Sequence, residues 1–265
     1  MIKDITLGKY YPVESILHRL DPRTKLITFF VYMISLFCFQ NIITYSFATL
    51  ILIAMLFLSN IPVQYQIRGI KPMIPLMVFT GILNLFHEGK QILVSVLFFK
   101  ITKEGIILAI YVTIRFIFLI LSAAVLTNTT TPTHLMDGLE NLLQPLKKIK
   151  VPVHEMALMM AIALRFIPIL VEEMDTITKA QMARGVDFQT KNISKKIKQI
   201  YAVFVPLFIA TIRRSRELAE AMEARCYVVG VKRTKLYPLK YRRKDLFVFF
   251  CLVFYIVVIV LINKI

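Results

Sequence analysis

Two arginine tripeptides, Ala183-Arg184-Gly185 and Ala224-Arg225-Cys226, lie 41 residues apart, each where a long amphipathic helix is expected to end. A guanidinium is charged at any physiological pH and presents a planar fork of donors suited to carboxylates or to the carbonyls of a helix C-terminus. Two such groups at matched helix ends suggest a paired prong that docks on something acidic. Truncating one side of a buried contact of this kind typically costs roughly 2–5 kcal/mol. Other chemistry is poorly represented. No GxxxxGK[ST] phosphate cradle occurs, so the chain is not an ATPase by that route. His154-Glu155 lacks a second histidine at zinc-protease spacing, and His18, His87 and His134 are scattered. No Gly-x-Ser-x-Gly or defensible Ser/His/Asp grouping is present, and Cys38, Cys226 and Cys251 show no CxxC spacing. No metal site and no cofactor is expected in this chain.

The elements that must carry the arginines belong to a membrane protein. Of 265 residues, 57% are apolar, and the mean hydropathy is +0.68, too oily for an ordinary soluble domain. Period-2 alternation is absent, which argues against a membrane β-barrel. Five spans are expected: Leu26–Phe39, Ile42–Leu58, Pro72–Phe86, Gly105–Leu126 and Leu246–Ile262. The break Gln40-Asn41 separates the first two, and Pro72 and Pro75 fall in the first turn of the third, where a missing N–H costs little. Gln91–Lys100 is apolar but ten residues long, and is expected to be re-entrant or interfacial.

Lys3, Lys9, Arg19, Arg23 and Lys25 precede the first span, and Arg68 and Lys71 lie between the second and third. The positive-inside bias then predicts a cytoplasmic N-terminus and an external C-terminus, with Lys90, Lys100 and Lys103 on the outer side as exceptions. Residues 127–244 carry 21 Lys+Arg and 10 Asp+Glu, net +11 of the chain's +17. The chain therefore divides into a membrane part at 1–126, a coupling region at 127–244 and a last span at 245–265.

Within that region, a short helix from Pro132 to about Leu146 precedes two long ones, Val153–Arg184 and Ile193–Arg225. Gly185 is a good residue to follow the first of these ends. Both begin with an apolar half, Met156–Val171 and Ile200–Ile212, holding Pro168 and Pro206. These halves are read as lying on the bilayer surface or another membrane protein, with transmembrane placement as the rival. Met156, Met159 and Met160 suit a surface that accepts several partners, or ordinary helix packing. Ala219, Ala221 and Ala224 would let two helices approach near their tips, favouring a crossed pair. Arg115, deep in the fourth span, has no Asp or Glu in spans one to three to pair with. Hydroxyls, carbonyls or a neighbouring protein must satisfy it, as a structural brace or at a partner contact.

The run Ser15-Ile16-Leu17-His18-Arg19-Leu20-Asp21-Pro22-Arg23-Thr24-Lys25-Leu26 resembles a signature just before the first span of the energy-coupling factor (ECF) transporter T components, the EcfT proteins of CbiQ type. The two arginine tripeptides are similar to that family's X-Arg-X motifs, and the resemblance covers essentially the whole chain. Cys226 stands where glycine is common, which leaves the geometry of that helix end open.

The resemblance implies a non-catalytic, all-α polytopic scaffold in a bacterial cytoplasmic membrane, with about five transmembrane helices and two long crossed amphipathic coupling helices. It implies two cytoplasmic ATPase subunits, which would hold ATP and Mg, and one membrane S component at a time that captures a vitamin or metal ion. Arg184 and Arg225 would each enter a groove on one ATPase, while Met156, Met159, Met160 and Arg115 are candidates for the S-component contact. His18, Leu20, Asp21, Pro22, Arg23 and Lys25 form the signature, with Asp21, Arg23 and Lys25 read as pinning the bundle's cytoplasmic end. Lys232, Arg233, Lys235, Lys240, Arg242, Arg243 and Lys244 are read as anchors beside anionic lipid. Nucleic-acid binding is not expected, since no soluble basic face with a recognition motif is evident. The main rival is the substrate-translocating permease of a conventional ABC importer, which needs a polar pathway at mid-membrane where only Arg115 qualifies. A membrane enzyme is third.

Overall fold

The computed structural model describes residues 10–38, 42–86, 92–96, 99–188, 193–231 and 238–264. The Gln40-Asn41 break, His87, Lys90 and the basic residues Lys3, Lys9, Lys232, Arg233 and Lys235 lie outside them. In chain order the helices are α1 (Pro22–Cys38), α2 (Ile42–Ser59), α3 (Val63–Ile67) and α4 (Ile74–Leu85). A hairpin of β1 (Ile92–Val96) and β2 (Phe99–Thr102) follows. Then come α5 (Lys103–Thr129), α6 (Pro132–Leu143), α7 (Val153–Ala183), α8 (Ile193–Ala224) and α9 (Arg243–Lys264). Among the described residues the fold is thus all-helical apart from that hairpin.

Within its described residues the ten-residue apolar stretch, expected to be re-entrant or interfacial, forms this hairpin. The strands pair antiparallel, with Val96 opposite Phe99 and Ser95 opposite Lys100. Ten residues of helix would reach only about 15 Å. Two short strands satisfy one another's backbone groups over the same length, and β-branched Ile92, Val94, Val96 and Ile101 favour them.

Four helices among the described residues are long and apolar enough to cross a membrane: α2, α5, α7 and α9. α2, α5 and α9 coincide with the second, fourth and fifth expected spans. α1, at 17 residues, rises only about 25 Å against ~30 Å of hydrocarbon. The third expected span is shorter still. Lys71–Met73 forms a 3-10 turn, and α4 itself has 12 residues, about 18 Å. The fourth qualifying helix is α7, whose 31 residues run unbroken through Pro168.

The described residues form two compact units, one within Gly8–Asn141 and Leu239–Ile265, the other within Leu142–Pro238. In the first, α5 packs against α1, α2, α3 and α4, and α9 against α1 and α2. Its core joins Tyr32, Leu36, Tyr45, Ala48, Leu52, Phe118, Tyr255 and Ile259. Lipid is as apolar as these side chains, so close packing and buried hydrogen bonds hold such a bundle together. Ser35 Oγ and Tyr255 Oη lie 2.6 Å apart, and Tyr32 Oη donates to the Ala48 carbonyl at 3.3 Å. Gly138 lets α6 cross the start of α1, where an added Cβ would come within 3.1 Å of Pro22 and Leu26. The second unit is dominated by α7 packed on α8.

Candidate functional site

Both arginine motifs sit at helix ends built the same way. Arg184 is the C-cap of α7. Behind it Gly185 has φ +87°, its N–H donates to the Met182 carbonyl at 3.0 Å, and the Val186 N–H donates to Gln181 at 3.1 Å. This is a Schellman ending, in which a left-handed residue turns the chain back to satisfy orphan carbonyls. At the end of α8 the Cys226 N–H donates to Glu223 at 2.8 Å and the Tyr227 N–H to Met222 at 3.0 Å. Cys226 adopts φ 57°. The geometry that the missing glycine left open is therefore the same Schellman turn, held with a β-carbon in the left-handed region. Ala183, Arg184, Gly185, Ala224, Arg225 and Cys226 are all exposed. Neither arginine has an ion-pair partner among the described residues.

The packing of α7 on α8 sets the two tips of the expected pair apart. Ile162, Arg165, Phe166 and Ile169 of α7 face Leu218, Ala221, Met222 and Arg225 of α8 across one cleft. Further along, Arg214 donates to the Glu173 carboxylate. The helices therefore run antiparallel along this contact, with the tip of α8 against the first half of α7. Arg184 lies eleven residues beyond Glu173, about 16 Å by helical rise, in the opposite direction from Arg225. Ala221 does allow close approach, but only at one of the two tips. The Gln199 amide donates to the Asp187 carbonyl and ties the connecting turn to α8.

The apolar halves of this pair are open to their surroundings. Met156, Met159 and Met160 are exposed, as are Ile200, Tyr201, Phe204, Phe208 and Ile212 on α8. Phe204 and Phe208 stack on each other one turn apart.

The N-terminal signature is a connected set of polar contacts in the first unit. Asp21 caps α1 by accepting the Arg23 N–H at 2.9 Å, with Pro22 at the first helical position. The Asp21 N–H in turn donates to Asp245 Oδ1 at 2.9 Å, and Asp245 Oδ2 accepts the Arg242 N–H at 2.7 Å. Asp245, fully buried, thus caps its own helix and holds the start of α1. Arg23 donates to the Leu239 carbonyl at 3.1 Å and lies over the Tyr241 ring at 4.9 Å. Lys25 reaches the Thr129 carbonyl at 2.9 Å and Thr130 Oγ1 at 3.1 Å at the end of α5. Leu20 is buried beside them.

His18 Nε2 lies 3.0 Å from the Tyr11 carbonyl, which can only accept, so that nitrogen carries the proton. Nδ1 then accepts from the Ser15 hydroxyl at 2.7 Å. Desolvation pulls the His18 pKa below the ordinary histidine value; the Tyr11 carbonyl opposes this and the charge of Lys25 adds to it. The ring is therefore neutral at physiological pH.

Arg115 finds the hydroxyl it needs within the chain. Its Nε donates to Tyr45 Oη at 3.1 Å, and its guanidinium sits over the Phe37 ring at 5.2 Å. Among the described residues no group of His, Cys, Asp and Glu is placed to hold a metal ion.

Reading the sequence missed Asp245, Tyr45 and the Thr129–Thr130 acceptors. Asp245 had a signal, since an acidic residue at the third position of a helix is the reciprocal half of a capping box. The other contacts join residues 70 to 105 positions apart and carried none.

These features define a polytopic helical membrane protein whose second unit presents two exposed, arginine-capped helix ends. The profile of the family described as CbiQ, cobalt transport protein, matches residues 13–237. Over 94% of its length the chain is 48% identical to the energy-coupling factor transporter transmembrane protein EcfT of Ruminiclostridium cellulolyticum, covering 93% of that protein. It is 47% identical to EcfT of Bacillus subtilis, over 92% of this chain and 93% of that one. Against EcfT of Lactococcus lactis subsp. cremoris it is 41% identical with both chains fully covered. The chain belongs to this CbiQ-type family of energy-coupling factor transporter transmembrane proteins, and is a membrane component of a transporter.

Proposed function

We propose that the chain is the non-catalytic transducer of its transporter, passing ATP-driven motion of two cytoplasmic ATPase subunits to a separate substrate-binding membrane subunit. Arg184 and Arg225 each dock in one ATPase. The N-terminus is cytoplasmic, and the exposed apolar halves of α7 and α8, with Met156, Met159 and Met160, meet the substrate-binding subunit. The observation that carries this reading is the pair of identical Schellman ends presenting exposed arginines at opposite ends of the α7–α8 contact. Two separated cationic tips suit two copies of an acidic groove better than one. The rival permease gains nothing from Arg115, which is engaged by Tyr45 and Phe37.

The test is co-purification from native membranes of tagged wild type and of the Arg184→Glu/Arg225→Glu double variant, with partners identified by mass spectrometry. Wild type is expected with two ATP-binding subunits and small hydrophobic proteins. The double variant is expected to lose the ATPases and ATP-driven uptake while substrate capture by the partner persists. A wild type that emerges with no ATPase would overturn the reading.

A further inference from the structure

A half-open cavity of about 380 Å³ lies within the first unit, walled by α1, α2, α5 and α9. Phe29, Ala54, Leu58, Leu126, Phe247 and Leu252 are among its lining residues, and its surface is almost wholly apolar. They come from the first halves of α1 and α9, the second half of α2 and the last turns of α5. The cavity therefore sits at the end of the bundle where Asp21 and Asp245 meet, one turn inside the apolar stretch. Close-packed interiors do not leave a void of this size, because the lining forfeits its dispersion contacts. An acyl chain already in hydrocarbon can restore those contacts with no desolvation cost.

Apolar filling alone would not distinguish one lipid from another. The rim does. Arg242, Arg243 and Lys244 are exposed, lie about one helical turn before Phe247 and Val248, and have no ion-pair partner among the described residues. The nearby carboxylates form no ion pair with them. Asp21 and Asp245 are buried and committed to backbone N–H groups. The start of α9 adds its own partial positive charge.

We propose that this cavity is a specific site for one anionic phospholipid, its acyl chain between α1, α2, α5 and α9 and its phosphate against Arg243 and Lys244. The site goes beyond the ATPase-coupling role and does not depend on it.

The full chain, alone and in its purified complex, is reconstituted with phosphatidylglycerol or phosphatidylcholine carrying a diazirine midway along one acyl chain. Cross-linked peptides are then mapped. Label from phosphatidylglycerol is expected to concentrate on residues 51–58 and 247–255, at least about tenfold above phosphatidylcholine, as two basic contacts allow. Ala54→Phe, which fills the cavity, should abolish that label. Arg243→Gln/Lys244→Gln, confined to exposed positions that leave the fold intact, should make the two lipids equal. Label spread evenly over the exposed faces of α2 and α9, alike for both lipids, would mean ordinary boundary lipid and overturn the site. Label present in the isolated chain but absent from the complex would mean that a partner's side chain fills the cavity, and would also overturn it.

Discussion

Cys226 is the residue where local chemistry and local geometry disagree. Left-handed backbone costs a residue with a β-carbon about 1–2 kcal/mol, whereas the equivalent Gly185 incurs no such penalty. The conformation persists because the turn satisfies two carbonyls at the end of α8. Cys226→Gly is therefore expected to be neutral to about 1 kcal/mol stabilising, part of the gain being offset by the added freedom of glycine in the unfolded chain. Thermal unfolding in detergent checks the sign, and transport should be retained. A lower melting temperature, or lost uptake, would mean the thiol makes a contact that the exposed tip does not suggest. Arg115 carries a related lesson. A lone mid-span charge, read as a structural brace or a partner contact, is held by one hydroxyl and one ring face, an arrangement that braces α5 against α1 and α2 without any carboxylate.

At the scale of elements, the ends of helices were far more legible than their partners. α6, α7 and α8 begin at the expected residues, and α7 and α8 stop within one residue of the expected ends, because prolines, glycine and the switch from apolar to charged act over a few positions. The hairpin had no sequence signal of its own, because a ten-residue apolar run does not distinguish strand from helix by hydropathy alone, and the third expected span opens as a 3-10 turn before the 12 residues of α4.

The joint between α1 and α9 offers a quantitative test at this scale. Asp245 accepts N–H groups from both helices' starts while fully buried, so Asp245→Ala orphans two donors at once. A loss of about 2–4 kcal/mol is expected, with Asp245→Asn intermediate because one acceptor oxygen remains. Melting temperature and recovery of monodisperse protein measure it. An unchanged melting temperature for the alanine variant would show that water replaces the carboxylate and that the joint is not sealed.

For the whole molecule, the orientation of the second unit decides whether coupling is possible at all. Cys226 is exposed at the tip of α8, whereas Cys38 and Cys251 lie in apolar helices. A charged, membrane-impermeant maleimide should therefore label Cys226 in inside-out vesicles and not in intact cells, with Cys226→Ser as the control. Labelling from outside the cell would place the arginine tips on the wrong side for any ATPase.

Hydropathy, charge bias and capping signals were enough to establish a helical membrane protein with a basic insert and two arginine-ended helices, since each depends on neighbours within a turn or two. Nothing local specifies that α7 and α8 run antiparallel so that Arg184 and Arg225 face opposite ways, that Asp21 meets Asp245 across 224 residues, or that four helices leave an apolar cavity between them. Those outcomes depend on how apolar surfaces of nearly uniform chemistry fit one another. In a bilayer that fit is governed by shape and by a few buried hydrogen bonds, and both arise only when the distant segments meet.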